Sequence, residues 1–217
     1  MTLIKKNDFV KLDFVARIQD SRQIFDLTNE GLAKKEGLYH QHIKYGPKVL
    51  CVGQQHIVKG VDDALVAKED HASFTVSLSS GEAFGPKISS LVKTVSTSSL
   101  TQQNIRPYPG LQISAGPGMV GTIRSVTAGR TVVDFNHPLA GKSVLYEIQL
   151  HGIVDDVKEK IHSLVLAELG FAAKDYSLER KERELALSFP QKIPEGIQKI
   201  FLERVSPLLP DFTISFV

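Results

Sequence analysis

The side chains that most often carry chemistry are scarce in this sequence. Cys51 is the sole cysteine, which excludes an intramolecular disulfide and argues against redox chemistry. His40 and His42 alternate in a loop without a cysteine or acidic residue beside them, so their spacing does not predict a metal site. The glycines of residues 116–121 lack the Lys-Ser/Thr pair of a phosphate-binding loop and predict a turn. Redox, metal and phosphate chemistry are therefore not indicated.

Short motifs that combine apolar, acidic and glycine residues are more informative. They are Phe25-Asp26, the sequence His-Ile-Val-Lys-Gly at residues 56–60, and Glu-Ala-Phe-Gly at residues 82–85. A single aromatic residue on an apolar strand face usually belongs to the core, and a single Asp after it usually belongs to a loop or turn. The order and spacing of the motifs together make them a candidate functional site.

In this order and approximate spacing the motifs resemble the pocket motifs of FKBP-type peptidyl-prolyl cis-trans isomerases, which read FD, E-V-I-x-G and A-Y/F-G. Residues 133–141, Val-Asp-Phe-Asn-His-Pro-Leu-Ala-Gly, are similar to the segment that closes the inserted domain of SlyD-type members. The resemblance covers residues 8 to about 154. The remainder resembles the extra domain of long archaeal FKBPs and lacks the His- and Cys-rich tail of SlyD, so neither a metal nor a cofactor is implied.

The resemblance implies an apolar pocket for a prolyl ring. Rotation about an X-Pro amide crosses a barrier of ~18–20 kcal/mol, and the twisted amide has less charge separation than the planar one, so a dry pocket favours it. Asp26 would orient the peptide by accepting hydrogen bonds, and the Val58 N–H would bind a substrate carbonyl. The implied catalytic residues are Asp26, Phe84 and Tyr146, and the implied substrate-binding residues are Phe14, Phe25, Ile57, Val58, Val61 and Leu139.

Departures from the family pattern leave alternatives open. His56 replaces a common Glu and is expected to face solvent, while Phe84 stands where the family often has Tyr, so one hydrogen-bond donor to the substrate is missing. Val61 stands where some relatives have Trp. The alternative function is a non-catalytic holdase chaperone with a vestigial prolyl pocket. A third hypothesis is a structural dimer module that acts through the C-terminal unit.

Periodicity predicts the elements that would position these residues. Apolar residues alternate over residues 10–18, 74–78 and 144–150, which predicts strands of one antiparallel sheet. Residues 61–67 follow Gly60, carry two acids directly after Val61 and predict a short helix. The expected fold class is therefore α+β, an FKBP-like antiparallel half-barrel with one helix.

The pattern changes twice along the chain. Residues 88–136 are rich in Ser, Thr, Pro and Gly and predict a small all-β insert, with a hairpin between residues 119–126 and 130–135. Residues 155–217 predict the order α, β, α, β, in which the first helix ends at Gly170. The expected domains are an isomerase domain (1–87 plus 137–154), a chaperone-like insert (88–136) and a C-terminal α/β domain (155–217).

Composition limits the partners. The chain has 217 residues, of which 42% are hydrophobic and 23% are charged, and this excludes a wholly disordered chain. The net charge of +2 is spread along the sequence and forms no basic stripe for nucleic acid. Lys5, Lys6 and Asp8 interrupt the amino terminus, so we expect neither a signal peptide nor a membrane span, and a cytoplasmic protein. Expected partners are unfolded or proline-containing polypeptides and a second copy bound through the C-terminal domain.

The apolar content of the insert predicts a binding surface for such polypeptides. A unit this small rarely buries all of its apolar residues, and an exposed apolar patch usually marks a binding site. The residues expected to exceed the capacity of the core are Leu91, Val92, Val95, Leu100, Ile105, Leu111 and Ile113.

Overall fold

The computed structural model describes residues 2–116 and 118–217 and divides the chain into two compact units. The first unit comprises the chain up to Leu78 together with Val144–Val217, and the second comprises Ser79–Ser143. The elements before residue 79 are β1 (Phe9–Ile18), β2 (Ile24–Leu27), α1 (Glu30–Lys35), β3 (Lys48–Cys51), α2 (Lys59–Leu65) and β4 (Ser73–Leu78). The second unit contains β5 (Val92–Ser96), α3 (Thr97–Gln102), β6 (Gln112–Ser114), β7 (Val120–Thr127) and β8 (Arg130–Asp134). The elements after residue 143 are β9 (Val144–Ile153), α4 (Val157–Leu169), β10 (Ser177–Lys181), β11 (Glu184–Ser188), α5 (Glu195–Val205) and β12 (Thr213–Phe216).

The main sheet of the first unit is antiparallel and five-stranded. Its order is β2-β1-β9-β4, and β3 also pairs with β1. Even-numbered side chains of β1 are buried, as the period-two pattern predicts, because alternate residues of a strand point to the same face. The registers Phe14↔Ile148 and Ala16↔Tyr146 carry the same alternation onto β9. The strands expected over residues 10–18, 74–78 and 144–150 are therefore confirmed.

Helix α2 begins two residues earlier than residue 61, at Lys59, and buries Val61 and Leu65 completely. Asp62, in its first turn, is only 2% exposed. Its carboxylate accepts hydrogen bonds from the backbone N–H groups of Gly53 and Gln55, at 2.9 and 2.8 Å. This acid therefore ties the preceding loop to the helix.

The second unit is built on a four-stranded antiparallel sheet in the order β5-β8-β7-β6. The expected hairpin is present: β7 and β8 pair around Ala128 and Gly129, where Gly129 has a φ of +87°. The expectation of a purely β unit did not include α3, a helix of six residues. Ser and Thr are weak helix formers, and the burial of Leu100 in the core of this unit supplies what local propensity does not.

The C-terminal segment has the expected order with one strand added. Helix α4 ends at Gly170, which has a φ of +76° and donates its N–H to the Leu166 carbonyl. Strand β11 pairs antiparallel with β10 and parallel with β12, and α5 lies between β11 and β12 along the chain. Apolar periodicity does not predict β10, because it is an edge strand with charged, exposed side chains on both faces.

Residues 155–217 share a core with the main sheet. Phe9 of β1 and Cys51 of β3 pack in one buried cluster with Val157, Ile161 and Phe201. The compact units therefore differ from the expected three domains, since the C-terminal segment lies within the first unit and the second unit begins at Ser79 and ends at Ser143. Within residues 2–116 and 118–217, no helix has both the length and the apolar character needed to cross a bilayer.

Candidate functional site

An aromatic cluster lies on the apolar face of the main sheet. The Phe14 and Tyr146 ring centroids are 5.6 Å apart, and the Phe25 and Tyr146 centroids are 6.0 Å apart with the rings nearly perpendicular. Phe14 and Tyr146 are 4% and 3% exposed, and Val61 of α2 is fully buried. The sheet therefore brings together three aromatic residues that the sequence assigned to the site.

Asp26 and Tyr146 flank the same residue of β1. Ala16 pairs with Asp26 on one side and with Tyr146 on the other. Asp26 is exposed, and its carboxylate accepts no hydrogen bond from the residues that the structure describes. Burial, and to a smaller extent the negative charge of Asp26, raises the pKa of Tyr146. Tyr146 therefore keeps its phenolic proton, while Asp26 remains available as an acceptor.

A free backbone donor stands at the start of α2. The Val58 carbonyl accepts hydrogen bonds from the N–H groups of Val61 and Asp62, at 2.9 and 3.1 Å. The N–H of Val58 donates no hydrogen bond within residues 2–116 and 118–217. Ile57 and Val58 are half-buried. The first turn of this helix thus offers an unused N–H beside apolar side chains.

Lys48 is a residue of this site that the sequence patterns did not indicate. It pairs with Leu12 across β3 and β1, which places its side chain on the apolar face of the sheet. Its ammonium lies 4.9 Å from the centroid of the Phe14 ring, a cation–π distance. The signal in the sequence is a lysine two positions before the buried Leu50, where the alternation of β3 calls for an apolar residue.

The expectation that His56 faces solvent is wrong. Its side chain is only 7% exposed. The Cys51 N–H donates to Nδ1 at 3.3 Å, and Nε2 lies 3.6 Å from Oε1 of Glu168. Burial lowers the pKa of His56, and the nearby Glu168 carboxylate opposes that shift. A single sequence does not show that a residue on α4 covers this ring.

The second unit carries the two remaining site residues on the segments that precede and follow its sheet. The Phe84 ring stacks on the His137 ring, with centroids 4.8 Å apart and planes within 3° of parallel. The Gly141 N–H donates to the Gly85 carbonyl at 2.9 Å. Leu139 is half-buried and donates its N–H to Nδ1 of His137 at 3.2 Å. His137 thus contacts both predicted site residues of this unit.

A buried carboxylate fastens the same two segments together. Asp134 is 2% exposed and lies 2.8 Å from the Lys87 ammonium and 3.1 Å from Nε of Arg124. Asn136 donates to Asp134, and its side chain also bonds both the N–H and the carbonyl of Ile88. The Lys87 ammonium, followed by the Asn136 and Arg124 donors, holds the pKa of Asp134 well below its usual range.

The apolar residues of the second unit are only partly enclosed by its core. Of the seven residues expected to exceed the capacity of the core, two are buried and five are only half-buried, and most of them pack in or against the core: Leu91, Val92, Val95, Leu100, Ile105, Leu111 and Ile113. The large apolar side chains that are exposed here are Ile88, Tyr108, Met119 and Val120.

Comparison with known proteins identifies the family. Residues 93–139 match the family of the FKBP26 IF domain. The short-type peptidyl-prolyl cis-trans isomerase of Methanocaldococcus jannaschii is 27% identical over 153 residues, which cover 70% of this chain and 96% of that protein. The FKBP-type peptidyl-prolyl cis-trans isomerase SlyD of Treponema pallidum is 30% identical over 121 residues, or 54% of this chain and 67% of that protein.

Among solved structures, the alignment with the N-terminal domain of FKBP42 from Arabidopsis thaliana covers 71% of this chain and 79% of that chain. The sequence identity is 12% and the TM-score is 0.37. The chain belongs to the FKBP-type peptidyl-prolyl cis-trans isomerases.

Proposed function

We propose that the protein isomerises X-Pro bonds of unfolded or partly folded polypeptides at the aromatic cluster of the main sheet. The observation that carries the proposal is the combination of an apolar wall with two unused polar groups. Phe14, Phe25 and Tyr146 form the wall, the Asp26 carboxylate is free to accept, and the Val58 N–H is free to donate. Phe84 and Leu139, which lie in the second unit, belong to sequence motifs that resemble those of the family's pocket.

The proposed chemistry needs no nucleophile and no proton transfer. The planar amide carries more charge separation than the twisted one, so a pocket that excludes water lowers the free energy of the twisted form relative to the planar form. The Val58 N–H would hold a substrate carbonyl, and Asp26 would accept a peptide N–H. Tyr146 keeps its proton because burial and Asp26 raise its pKa, so it serves as a neutral wall.

The test is an NMR exchange assay on a short X-Pro peptide with Asp26→Ala. A hydrogen bond to a charged group contributes about 1.5–3 kcal/mol, so kcat/KM should fall by roughly 10- to 100-fold. The fold should be unaffected, because Asp26 accepts no hydrogen bond from the described residues. Asp20→Ala, in the exposed turn between β1 and β2, is the matched control and should keep wild-type activity. An unchanged rate in Asp26→Ala would contradict the assigned role.

We also propose that the second unit binds unfolded chains. The proposal is supported by the exposed Tyr108, Met119 and Val120, since exposed aromatic and Met side chains adapt to varied apolar partners. Met119→Ser with Val120→Ser should slow catalysed refolding of a proline-limited protein and leave isomerisation of a short peptide unchanged. Equal rates of refolding with the wild type would contradict it. A wild type that prevents aggregation and isomerises neither substrate would instead identify a holdase.

Homodimerisation through residues 155–217 and a cytoplasmic location complete the proposal. Support for the dimer comes from Ile197 and Ile200 of α5, which are 46% and 59% exposed on one side of the helix. Support for the location comes from the single, buried Cys51, which suits a reducing compartment. Sedimentation of the wild type beside Ile197→Ser with Ile200→Ser tests the dimer. A monomeric wild type would contradict it.

A further inference from the structure

The loop that leads into the candidate site is held from two sides. Residues 53–55 are tied to α2, because the Asp62 carboxylate accepts the N–H groups of Gly53 and Gln55. His56, the next residue, points to the C-terminal segment instead. Ile57 and Val58 follow directly, so the position of the unused Val58 N–H depends on how His56 is held.

The hydrogen bonds of His56 assign the proton on its ring. The Cys51 N–H donates to Nδ1 at 3.3 Å, so Nδ1 is the acceptor and the neutral ring carries its hydrogen on Nε2. That nitrogen is buried without a partner at hydrogen-bond distance among the described residues, and the Glu168 carboxylate lies 3.6 Å away. Glu168 is therefore the acceptor towards which the Nε2 hydrogen is directed.

Glu168 is itself fixed by a second helix. Its Oε2 lies 2.5 Å from Nη1 of Arg204 on α5, and the Glu168 side chain is only 11% exposed. By contrast, Glu159 on the same helix pairs with Lys11 at 2.9 Å while 46% exposed. A charge held in a low-dielectric setting orients a neighbouring dipole far more strongly than a solvated one. The Arg204–Glu168 pair can therefore hold the His56 ring in one orientation.

We propose that Glu168 and Arg204 are positioning residues, which orient His56 and through it the Val58 N–H of the candidate site. The proposal rests on the proposed function, in which that N–H binds a substrate carbonyl. It gives residues 155–217 a part in catalysis, since α4 and α5 supply the groups that fix the active-site loop.

The same geometry predicts a dependence on pH. The charged groups that face His56 are Glu168 from α4, Arg204 from α5 and Asp62 from α2, and the backbone contact comes from Cys51 of β3. Burial lowers the pKa of His56 from 6.5, so the ring is neutral at pH 7. As the pH falls through this lowered pKa, protonation of His56 converts Nδ1 from an acceptor into a donor and removes the Cys51 hydrogen bond. Activity should therefore decline on the acid side.

The test compares Glu168→Gln with Glu159→Gln, a matched change on the same helix, in the full-length protein. The measurements are kcat/KM for a short X-Pro peptide between about pH 5 and 8, and the ¹H–¹⁵N NMR position of the Val58 amide. Glu168→Gln should lower kcat/KM by about 3- to 30-fold at pH 7.5 and shift the Val58 amide. Its acid decline should move to lower pH, because the carboxylate that favours protonated His56 is gone.

Glu159→Gln should match the wild type in both measurements. His56→Gln should abolish the acid decline, and its melting temperature shows whether the variant is folded. If Glu168→Gln behaves as Glu159→Gln does in rate, pH profile and Val58 shift, the inference is overturned. If the wild type does not isomerise the peptide, the proposed function fails, and the Val58 amide still decides whether Glu168 positions the loop.

Discussion

Lys48 adds a positive charge to a site whose other walls are apolar. Its ammonium lies over the Phe14 ring, and no salt bridge holds it within the described residues. A carboxylate on the substrate can therefore pair with it at the edge of the pocket. This makes the lysine a determinant of which sequences around proline are preferred.

We predict that wild-type protein isomerises peptides with Glu before proline faster than peptides with Lys there, by about 2- to 5-fold at low salt, the scale of one screened ion pair. Lys48→Met should remove the preference, because it keeps the apolar stem and loses the charge. Lys35→Met, at the exposed end of α1, is the control and should preserve the preference. A preference that survives in Lys48→Met would show that another group sets it.

Among the described residues of the second unit, Asp134 has the most strongly shifted pKa. Because hydrogen bonds hold its folded-state pKa below 3.8, the unfolded chain binds more protons at acid pH, so this contribution to stability is present above that value and lost below it. Asp134→Asn should cost about 1–2 kcal/mol at pH 7, since its partners Lys87 and Arg124 are half-exposed and screened.

The measurement is thermal unfolding of Asp134→Asn and wild type at about pH 7 and pH 3. The difference in melting temperature should shrink at the lower pH. Asp20→Asn, an exposed acid without a partner among the described residues, should show no difference at either pH. A gap between Asp134→Asn and wild type that is the same at both pH values would contradict the linkage.

Single residues show what a sequence can and cannot predict about this site. The family resemblance implied Phe14, Phe25 and Tyr146 as site residues, and the sheet brings their rings into contact. The alternation of apolar and polar residues along a strand is a local property, so the sequence alone predicted which side chains share a face. His56 was misjudged because its burial depends on Glu168, which is distant in sequence and reaches the ring only after α4 packs on β3.

Among the elements, long periodic strands and capped helices were predictable, whereas short polar ones were not. The alternation of β1 and β9 and the cap of α4 at Gly170 follow directly from local pattern. Helix α3 and strand β10 have polar, mostly exposed sequences, so what stabilises them is their packing partner. Tertiary contact overrides propensity in both cases.

Two glycines of the C-terminal segment should respond in opposite directions to the same substitution. Neither has an atom within 4 Å of an added Cβ, so steric crowding is absent at both. Gly170 has a φ of +76°, which costs an L-residue about 1–2 kcal/mol, so Gly170→Ala should destabilise. Gly196 lies inside α5 with an ordinary φ, so Gly196→Ala should stabilise by about 0.5–1 kcal/mol. Urea unfolding of both variants checks the signs, and equal signs would contradict this reading.

At the scale of the whole molecule, the second unit should be removable. Its sheet and core are formed within Ser79–Ser143, and Asn136 bonds the backbone of Ile88, so the two chain ends that border the insert are adjacent. We predict that replacing residues 88–136 with a short Gly-containing linker leaves a first unit that unfolds cooperatively. Isomerisation of short peptides should be retained in part, and acceleration of protein refolding should be lost.

Calorimetry and the two assays on the deleted form provide the measurements. The double variant Met119→Ser with Val120→Ser keeps the second unit intact. Comparison with it distinguishes the effect of losing the exposed apolar side chains from the effect of losing the whole unit. Loss of cooperative unfolding after the deletion would show that the first unit depends on the second for its stability. Equal losses on peptide and protein substrates would show that the second unit supports the site and does not hold clients.

The pairing of β1 with β9 also fixes an order of events during synthesis. Strand β1 ends at Ile18, and its partner β9 begins at Val144. The ribosome therefore releases every residue of the second unit before β9 can pair with β1 and complete the main sheet. Strands β5 to β8 pair with one another inside that contiguous stretch, and domains generally fold as units while the chain emerges. A nascent molecule should therefore display its finished insert, with Tyr108 and Met119 accessible, while its own aromatic cluster still lacks Tyr146.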